Sequence, residues 1–78
     1  MTQLRDDKIL HQIALVLKDL RDEWELSQEE VYNDTNIHIG RIESGHTNPT
    51  ISTLSYLADY FEIKLSDFFI RVEDKSPR

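Results

Sequence analysis

Helix start and stop signals follow one another so closely along this chain that only short helices fit between them. Ser27-Gln28-Glu29-Glu30 has the pattern of a capping box, in which the serine hydroxyl and the Glu30 carboxylate each accept from the other residue's backbone amide. Thr50 and Ser66 have the side chains of two further N-caps. Two residues that close helices in the left-handed conformation end the second and third segments, namely Asn36 and Gly45. The pattern predicts an all-α chain of five short helices.

Apolar residues recur at helical spacing between these signals. Steps of three and four residues separate the members of one apolar stripe, which are Leu10, Ile13, Leu17, Leu20 and Trp24. This stripe predicts a first helix over about residues 6–24. We expect the second helix from residue 27 to 34 or 35, the third from 37 or 38 to 43, and the fourth after Thr50, with an apolar face from Ile51 to Phe61. A short fifth helix is expected to begin at Ser66.

Aromatic side chains are expected to supply much of the core. The candidates are Trp24, Tyr56, Tyr60, Phe61, Phe68 and Phe69. Phe68-Phe69-Ile70 concentrates apolar surface near the end of a small domain, so part of it is expected either in the core or in a two-fold contact between copies. We expect one domain over residues 1–70, followed by a charged tail over residues 71–78.

Composition limits the classes of function open to this chain. Its 78 residues leave little room for both a core and a deep catalytic cleft. It has no cysteine, which excludes disulfides, thiolate metal sites and a cysteine nucleophile, and which fits a reducing cytoplasm. No apolar run approaches a membrane span, and the polar start is unlike a signal peptide. The net charge of −6 argues against nucleic acid, although the placement of charges matters more than their sum.

Patterns for catalysis or for a cofactor are weak. Asp7 and His11 have the i, i+4 spacing of two metal ligands on one helix, but no further ligand clusters near them, and a surface pair is the simpler interpretation. The acidic run from Asp19 to Glu25 is expected to be a solvated face. No serine nucleophile motif and no glycine-rich phosphate loop is present. We therefore expect a protein that is not an enzyme and that needs neither a cofactor nor a metal.

A resemblance emerges from the order of the motifs. Leu20-Arg21, Leu26 to Val31, Arg41-Ile42-Glu43-Ser44-Gly45, Asn48-Pro49-Thr50 and the stretch from Leu54 to Leu65 together resemble the Cro/repressor family, which is lambda-repressor-like and of the xenobiotic-response-element type. The resemblance covers about residues 10–69. It implies a compact five-helix helix-turn-helix domain that binds DNA.

The resemblance also implies roles for individual residues. Arg21 and Glu43 resemble an ion pair that ties the first helix to the end of the third. Gln28 resembles a contact to the phosphate backbone, and Arg41 a residue that faces the major groove. The remaining expected DNA contacts are His38, Gly40, Ser44, His46, Thr47 and Asn48. Simpler interpretations remain for three of these residues. Arg41 is alternatively a solvated arginine paired with a nearby carboxylate, and His38 and His46 are alternatively surface residues without a DNA contact.

The chain departs from the family pattern before Ile42-Glu43. Asn36 stands where the family has a turn glycine, and about three residues are missing at the start of the recognition helix. Three residues are close to one turn, so the inward face keeps its phase while several base-reading positions are lost. Gly40 also weakens this helix by up to ~1 kcal/mol relative to alanine.

The leading hypothesis is a cytoplasmic, sequence-specific transcriptional regulator, and more narrowly a repressor that acts as a homodimer on double-stranded DNA, with no membrane or small-molecule partner. The alternative is a protein-interaction module on the same fold, such as an antitoxin-like or co-regulator subunit. A third hypothesis is a small structural or dimerisation protein without a nucleic-acid role.

Overall fold

Five helices account for most of residues 4–75, which are the residues that the computed structural model describes. They are α1 (Asp7–Glu23), α2 (Gln28–Thr35), α3 (Ile39–Glu43), α4 (Ile51–Tyr60) and α5 (Leu65–Asp74). The all-α, five-helix prediction is confirmed, and no strand occurs in this part of the chain. None of the helices among these residues is both long enough and apolar enough to cross a membrane.

Local side-chain caps fix where three of the helices begin. Asp6 Oδ1 accepts from the Ile9 amide at 3.1 Å at the start of α1. The predicted capping box is present at α2, where Ser27 and Glu30 exchange two hydrogen bonds of 3.0 Å. Thr50 caps α4 by accepting from the Thr53 amide at 3.1 Å. Each contact satisfies a backbone donor that the first turn leaves without a helical partner.

The turn between α2 and α3 depends on one residue in the left-handed conformation. Asn36 has a φ of 62° and closes α2 as the sequence predicts, because asparagine tolerates this region better than most residues. The Thr35 hydroxyl adds a local contact, accepting from the Ile37 amide at 3.1 Å. Ile37 and His38 then lead directly into α3, so the two helices are joined with little intervening chain.

One apolar core lies between the helices. Its buried members come from all five: Ile13, Val16, Leu17, Leu20, Val31, Ile39, Ile42, Leu54, Leu57, Phe61, Phe68 and Val72. α1 packs against α3 and α5, α4 packs against α5, and α2 packs against α3. The position of α3 is therefore set by its inward isoleucines and by α1 behind it.

Two of the expected core aromatics lie at the surface instead. Trp24 is 45% exposed because α1 ends at Glu23: Trp24 is its C-cap, and the next residue, Glu25, takes the left-handed conformation with a φ of 54°. Tyr56 is 54% exposed because it lies two residues after buried Leu54, roughly 200° around the helix. Ile51, at the first position of α4, is also exposed. Of the other expected core aromatics, Phe61 and Phe68 are buried, whereas Tyr60 and Phe69 are half-buried.

The fifth helix begins earlier and ends later than predicted. Its N-cap is Lys64, not Ser66, and no side chain caps it. Leu65 packs against the core one turn before Phe68 and Phe69, so apolar burial rather than a hydroxyl cap extends the helix start. The helix also continues to Asp74 and buries Val72, so the boundary placed at residue 70 falls inside it. The last tail residues, 76–78, lie outside the described residues.

Polar contacts fasten the end of α5 to α1. The buried Gln12 side chain donates to the Val72 carbonyl at 2.9 Å. Arg71 pairs with Glu23 at 2.7 Å, and Lys75 pairs with Asp19 at 2.6 Å. Two cations of α5 and its C-cap thus neutralise two carboxylates of α1, on the side of α1 that faces α5.

Alkaline pH is expected to weaken one contact between α2 and α4. Tyr60 donates to Asp34 Oδ2 at 2.6 Å, and burial together with this carboxylate raises the pKa of Tyr60 from 10.0 to about 12. The folded state therefore holds this proton more tightly than the unfolded chain does. The hydrogen bond from Tyr60 to Asp34 therefore makes its full contribution to the free energy of unfolding below pH 10, and this contribution is lost as the pH rises towards 12. Urea denaturation between pH 8 and 12 checks this, because Tyr60→Phe should flatten the decline relative to the wild type; equal declines would contradict it.

Candidate nucleic-acid interface

The short third helix has one side in the core and one side open. Ile39 and Ile42 are buried, which confirms the predicted inward face. Arg41 is exposed between them, and the N-cap residue His38 is exposed as well. Among the described residues, Arg41 forms no ion pair, so its guanidinium faces solvent without a carboxylate partner. The helix has five residues, in line with the shortened segment seen in the sequence.

An ion pair holds the end of α3 against α1. Arg21 Nε donates to Glu43 Oε2 at 2.8 Å, and Arg21 Nη2 donates to Glu43 Oε1 at 2.9 Å. Both side chains are largely buried, with 13% and 7% exposure. Arg21 Nη1 also donates to the Leu26 carbonyl, and the hydrogen bond to Glu43 raises the pKa of Arg21 above its already high ordinary value. This bidentate pair fixes α3 relative to the turn that precedes α2.

Gln28 joins the same network from the first turn of α2. Its Nε2 donates to Glu43 Oε1 at 3.1 Å, which uses one of the two amide hydrogens, and the other has no partner among residues 4–75. Its Oε1 lies against Gly40, where an added Cβ would come within 3.0 Å. The absence of a side chain at residue 40 therefore lets the Gln28 amide lie close to α3, which gives a local reason for a glycine inside such a short helix.

A shallow groove of about 330 Å³ separates α2 from α3. Gln28 and Arg41 line it, and so does a pair of stacked rings, Tyr32 and His38, whose centroids lie 4.4 Å apart with an angle of 25°. The carboxylate of Glu29 also borders the groove. Side chains from two helices thus meet on one exposed surface, which we call the α2–α3 face and define by Gln28, Tyr32, His38, Gly40 and Arg41.

The loop after α3 continues this face. Gly45 ends α3 with a φ of 80°, and the Ser44 hydroxyl donates to the Arg41 carbonyl at 2.5 Å. Thr47 and Asn48 are exposed, as are Ser44 and His46. Arg5, ahead of α1, donates to the His46 carbonyl at 2.6 Å while its Nε bonds Asp7. The loop is therefore held in place by a residue 41 positions away in sequence.

Most of the carboxylates between residues 27 and 50 are engaged. Glu43 is paired with Arg21, Glu30 accepts from the Ser27 amide, and Asp34 accepts from Tyr60. Glu29 is the exception, since it borders the groove beside Arg41. Although the chain has a net charge of −6, Glu29 is thus the one carboxylate between residues 27 and 50 without a described partner at the α2–α3 face. None of the described residues covers the outer side of this face.

The expected DNA contacts fall into two neighbouring groups. Gln28, His38, Gly40 and Arg41 share the groove, and the residue 44–48 loop follows directly after α3. Sequence reasoning missed Tyr32, which we assigned no role, and Arg5, whose contact with the loop leaves no local signal. The Asp7 carboxylate accepts from Arg5 Nε at 2.6 Å, and among residues 4–75 no three potential ligands lie together at a metal-binding distance.

Comparison with known proteins decides the family. A helix-turn-helix family model of the Cro/C1 type matches residues 17–68, which is two thirds of the chain. The chain belongs to this helix-turn-helix family. No match was found among curated proteins or among solved structures. The matched span contains the Arg21–Glu43 pair, the α2–α3 face and the loop that follows it. As a helix-turn-helix domain of the xenobiotic-response-element type, the chain is a DNA-binding regulator.

Proposed function

We propose that this helix-turn-helix protein is a sequence-specific transcriptional repressor that acts by occupying its operator. The observation that carries the proposal is the two-sided α3, whose isoleucines are buried while Arg41 faces solvent beside an open groove. A recognition helix needs this arrangement, since one side must anchor it and the other must enter the major groove. Arg41 would read guanine, the base whose major-groove edge offers two acceptors to a guanidinium.

Contacts around α3 would fix the register on the phosphates. The second Gln28 amide hydrogen and the exposed polar groups of the residue 44–48 loop are the proposed donors. Arg5 keeps this loop in place through the His46 carbonyl. Contacts of this kind position a domain on DNA without reading its sequence.

The proposed repressor is a homodimer on a palindromic site with half-sites about one helical turn, ~34 Å, apart. One cation on the α2–α3 face gives a single copy little affinity, so two copies on one site would be needed for tight binding. Ile70 on α5 is 55% exposed and supplies apolar surface for a two-fold contact, whereas Phe68 is buried within the copy and is not available for it.

A second candidate function is favoured by the charge. Arg41 is the one Lys or Arg between residues 27 and 50, and the chain as a whole is acidic. A protein-interaction module on the same fold, such as an antitoxin-like or co-regulator subunit, would bind a protein and not phosphates, so a single cation on this surface would be enough.

Salt dependence is expected to separate the two functions. An operator selected from a random duplex pool is titrated by fluorescence anisotropy between 50 and 200 mM salt, with a shuffled duplex as the control. A repressor should bind with two copies per site, and its log affinity should fall linearly with log salt, by about 0.9 for each phosphate neutralised. Failure to enrich any sequence, or an affinity independent of salt, would favour the protein-interaction module.

A further inference from the structure

Tyr32 has no role in the function proposed so far, and His38, an expected DNA contact, has been given no target on the DNA. Tyr32 comes from α2 and is 36% exposed, while His38 is the exposed N-cap residue of α3. Their ring planes are within 25° of parallel and their centroids are 4.4 Å apart, so one ring lies over the other in a single aromatic stack. Tyr32 bonds to no described side chain through its hydroxyl, unlike Tyr60, which is tied to Asp34.

The location of this pair is the leading end of the recognition helix. In helix-turn-helix domains the N-terminal residues of that helix contact base edges. α3 has five residues and begins directly after His38, on which the Tyr32 ring stacks. The pair lines the same groove as Arg41, which places an aromatic surface beside the proposed guanine reader.

We propose that the Tyr32–His38 pair contacts the 5-methyl group of a thymine next to the base that Arg41 reads. This contact rests on the proposed function. Among the groups that base pairs present in the major groove, the thymine methyl is the apolar one, and apolar side chains recognise it. Glu29 borders the groove, and its carboxylate disfavours an anionic phosphate there while leaving a neutral methyl group unaffected. The aromatic pair thus supplies base recognition that the shortened α3 lacks.

Replacing thymine with uracil in the operator removes this methyl group and nothing else. Each thymine of the selected operator is replaced in turn, and affinities are measured by anisotropy. For the wild type, uracil at one position per half-site should weaken binding about fourfold per half-site, as expected for losing one buried methyl group. For Tyr32→Ala the same replacement should leave the affinity unchanged. Tyr32→Phe keeps the ring and should keep the fourfold ratio.

A matched control is available on α4. Tyr56 is likewise an exposed tyrosine but does not line the groove, so Tyr56→Ala should retain the wild-type thymine preference. Circular dichroism and binding to the shuffled duplex verify that each variant is folded.

Two results would overturn the contact while leaving the repressor in place. They are operator binding without a uracil penalty at any thymine, and a uracil penalty that persists in Tyr32→Ala. If the wild type bound no operator at all, the proposed function would fail, and the thymine contact with it.

Discussion

Replacing Arg21 with methionine is expected to lower the free energy of unfolding by about 3–5 kcal/mol. The substitution leaves the Glu43 carboxylate, whose side chain is 7% exposed, without the cation that offsets its burial. It also removes a donor from the Leu26 carbonyl at the turn before α2. Small domains are stable by about 5–15 kcal/mol, so this single change should remove much of the stability of a 78-residue chain. Urea denaturation followed by circular dichroism measures the loss.

Two companion variants show whether burial is the cause. Replacing Arg21 and Glu43 together with methionine should recover part of the loss, because no buried charge is left unpaired. Arg71→Met breaks the exposed pair with Glu23, in which the side chains are 40% and 52% exposed, and should cost at most about 1 kcal/mol. If Arg21→Met cost no more than Arg71→Met, the Arg21–Glu43 pair would not be what holds α3 in place.

Removing the guanidinium of Arg41 is expected to weaken operator binding by about 1–3 kcal/mol, which is the usual worth of one bidentate base contact. Arg41 is exposed and makes no ion pair with any described residue, so Arg41→Ala should leave the stability of the fold nearly unchanged. The loss should be confined to the operator, because a base contact contributes little on a shuffled duplex. Anisotropy titrations against both duplexes measure the difference.

Lys64→Ala provides the matched control for charge. Lys64 is an exposed cation at the start of α5 that does not line the groove, and its removal changes the net charge by the same amount. It should have little effect on either duplex. Equal losses for Arg41→Ala on the operator and on the shuffled duplex would make Arg41 a phosphate contact, and the absence of any loss would remove it from the interface.

The parts of the fold that depend on neighbouring residues were predictable from the sequence. The capping box at Ser27, the left-handed Asn36 and the inward isoleucines of α3 each follow from residues within one turn of each other. Trp24 and Tyr56 were wrongly placed in the core, because an aromatic side chain gives no sign of where its helix ends or which side the core is on. The start of α5 was wrong because packing of Leu65 replaced a local cap.

The candidate site was predictable only in part, for a similar reason. The expected DNA contacts came from matching the order of family motifs, and the structure places them on one face and the loop that follows it. Arg5 meets the loop across 41 residues of sequence, and Tyr32 joins the site by stacking on a residue of the next helix. Neither contact produces a periodicity, a cap or a motif, so tertiary geometry was needed to find them.

We propose that DNA binds this protein at the α2–α3 face and the loop that follows it. Isotope-labelled protein can be titrated with the selected operator while backbone amide chemical shifts are recorded by NMR. We expect the largest shifts at Gln28, at residues 38–41 and at residues 44–48, while the amides of α5 that pack on α1 change little. Shifts concentrated on α4 and α5, with residues 38–48 unmoved at saturating DNA, would contradict it.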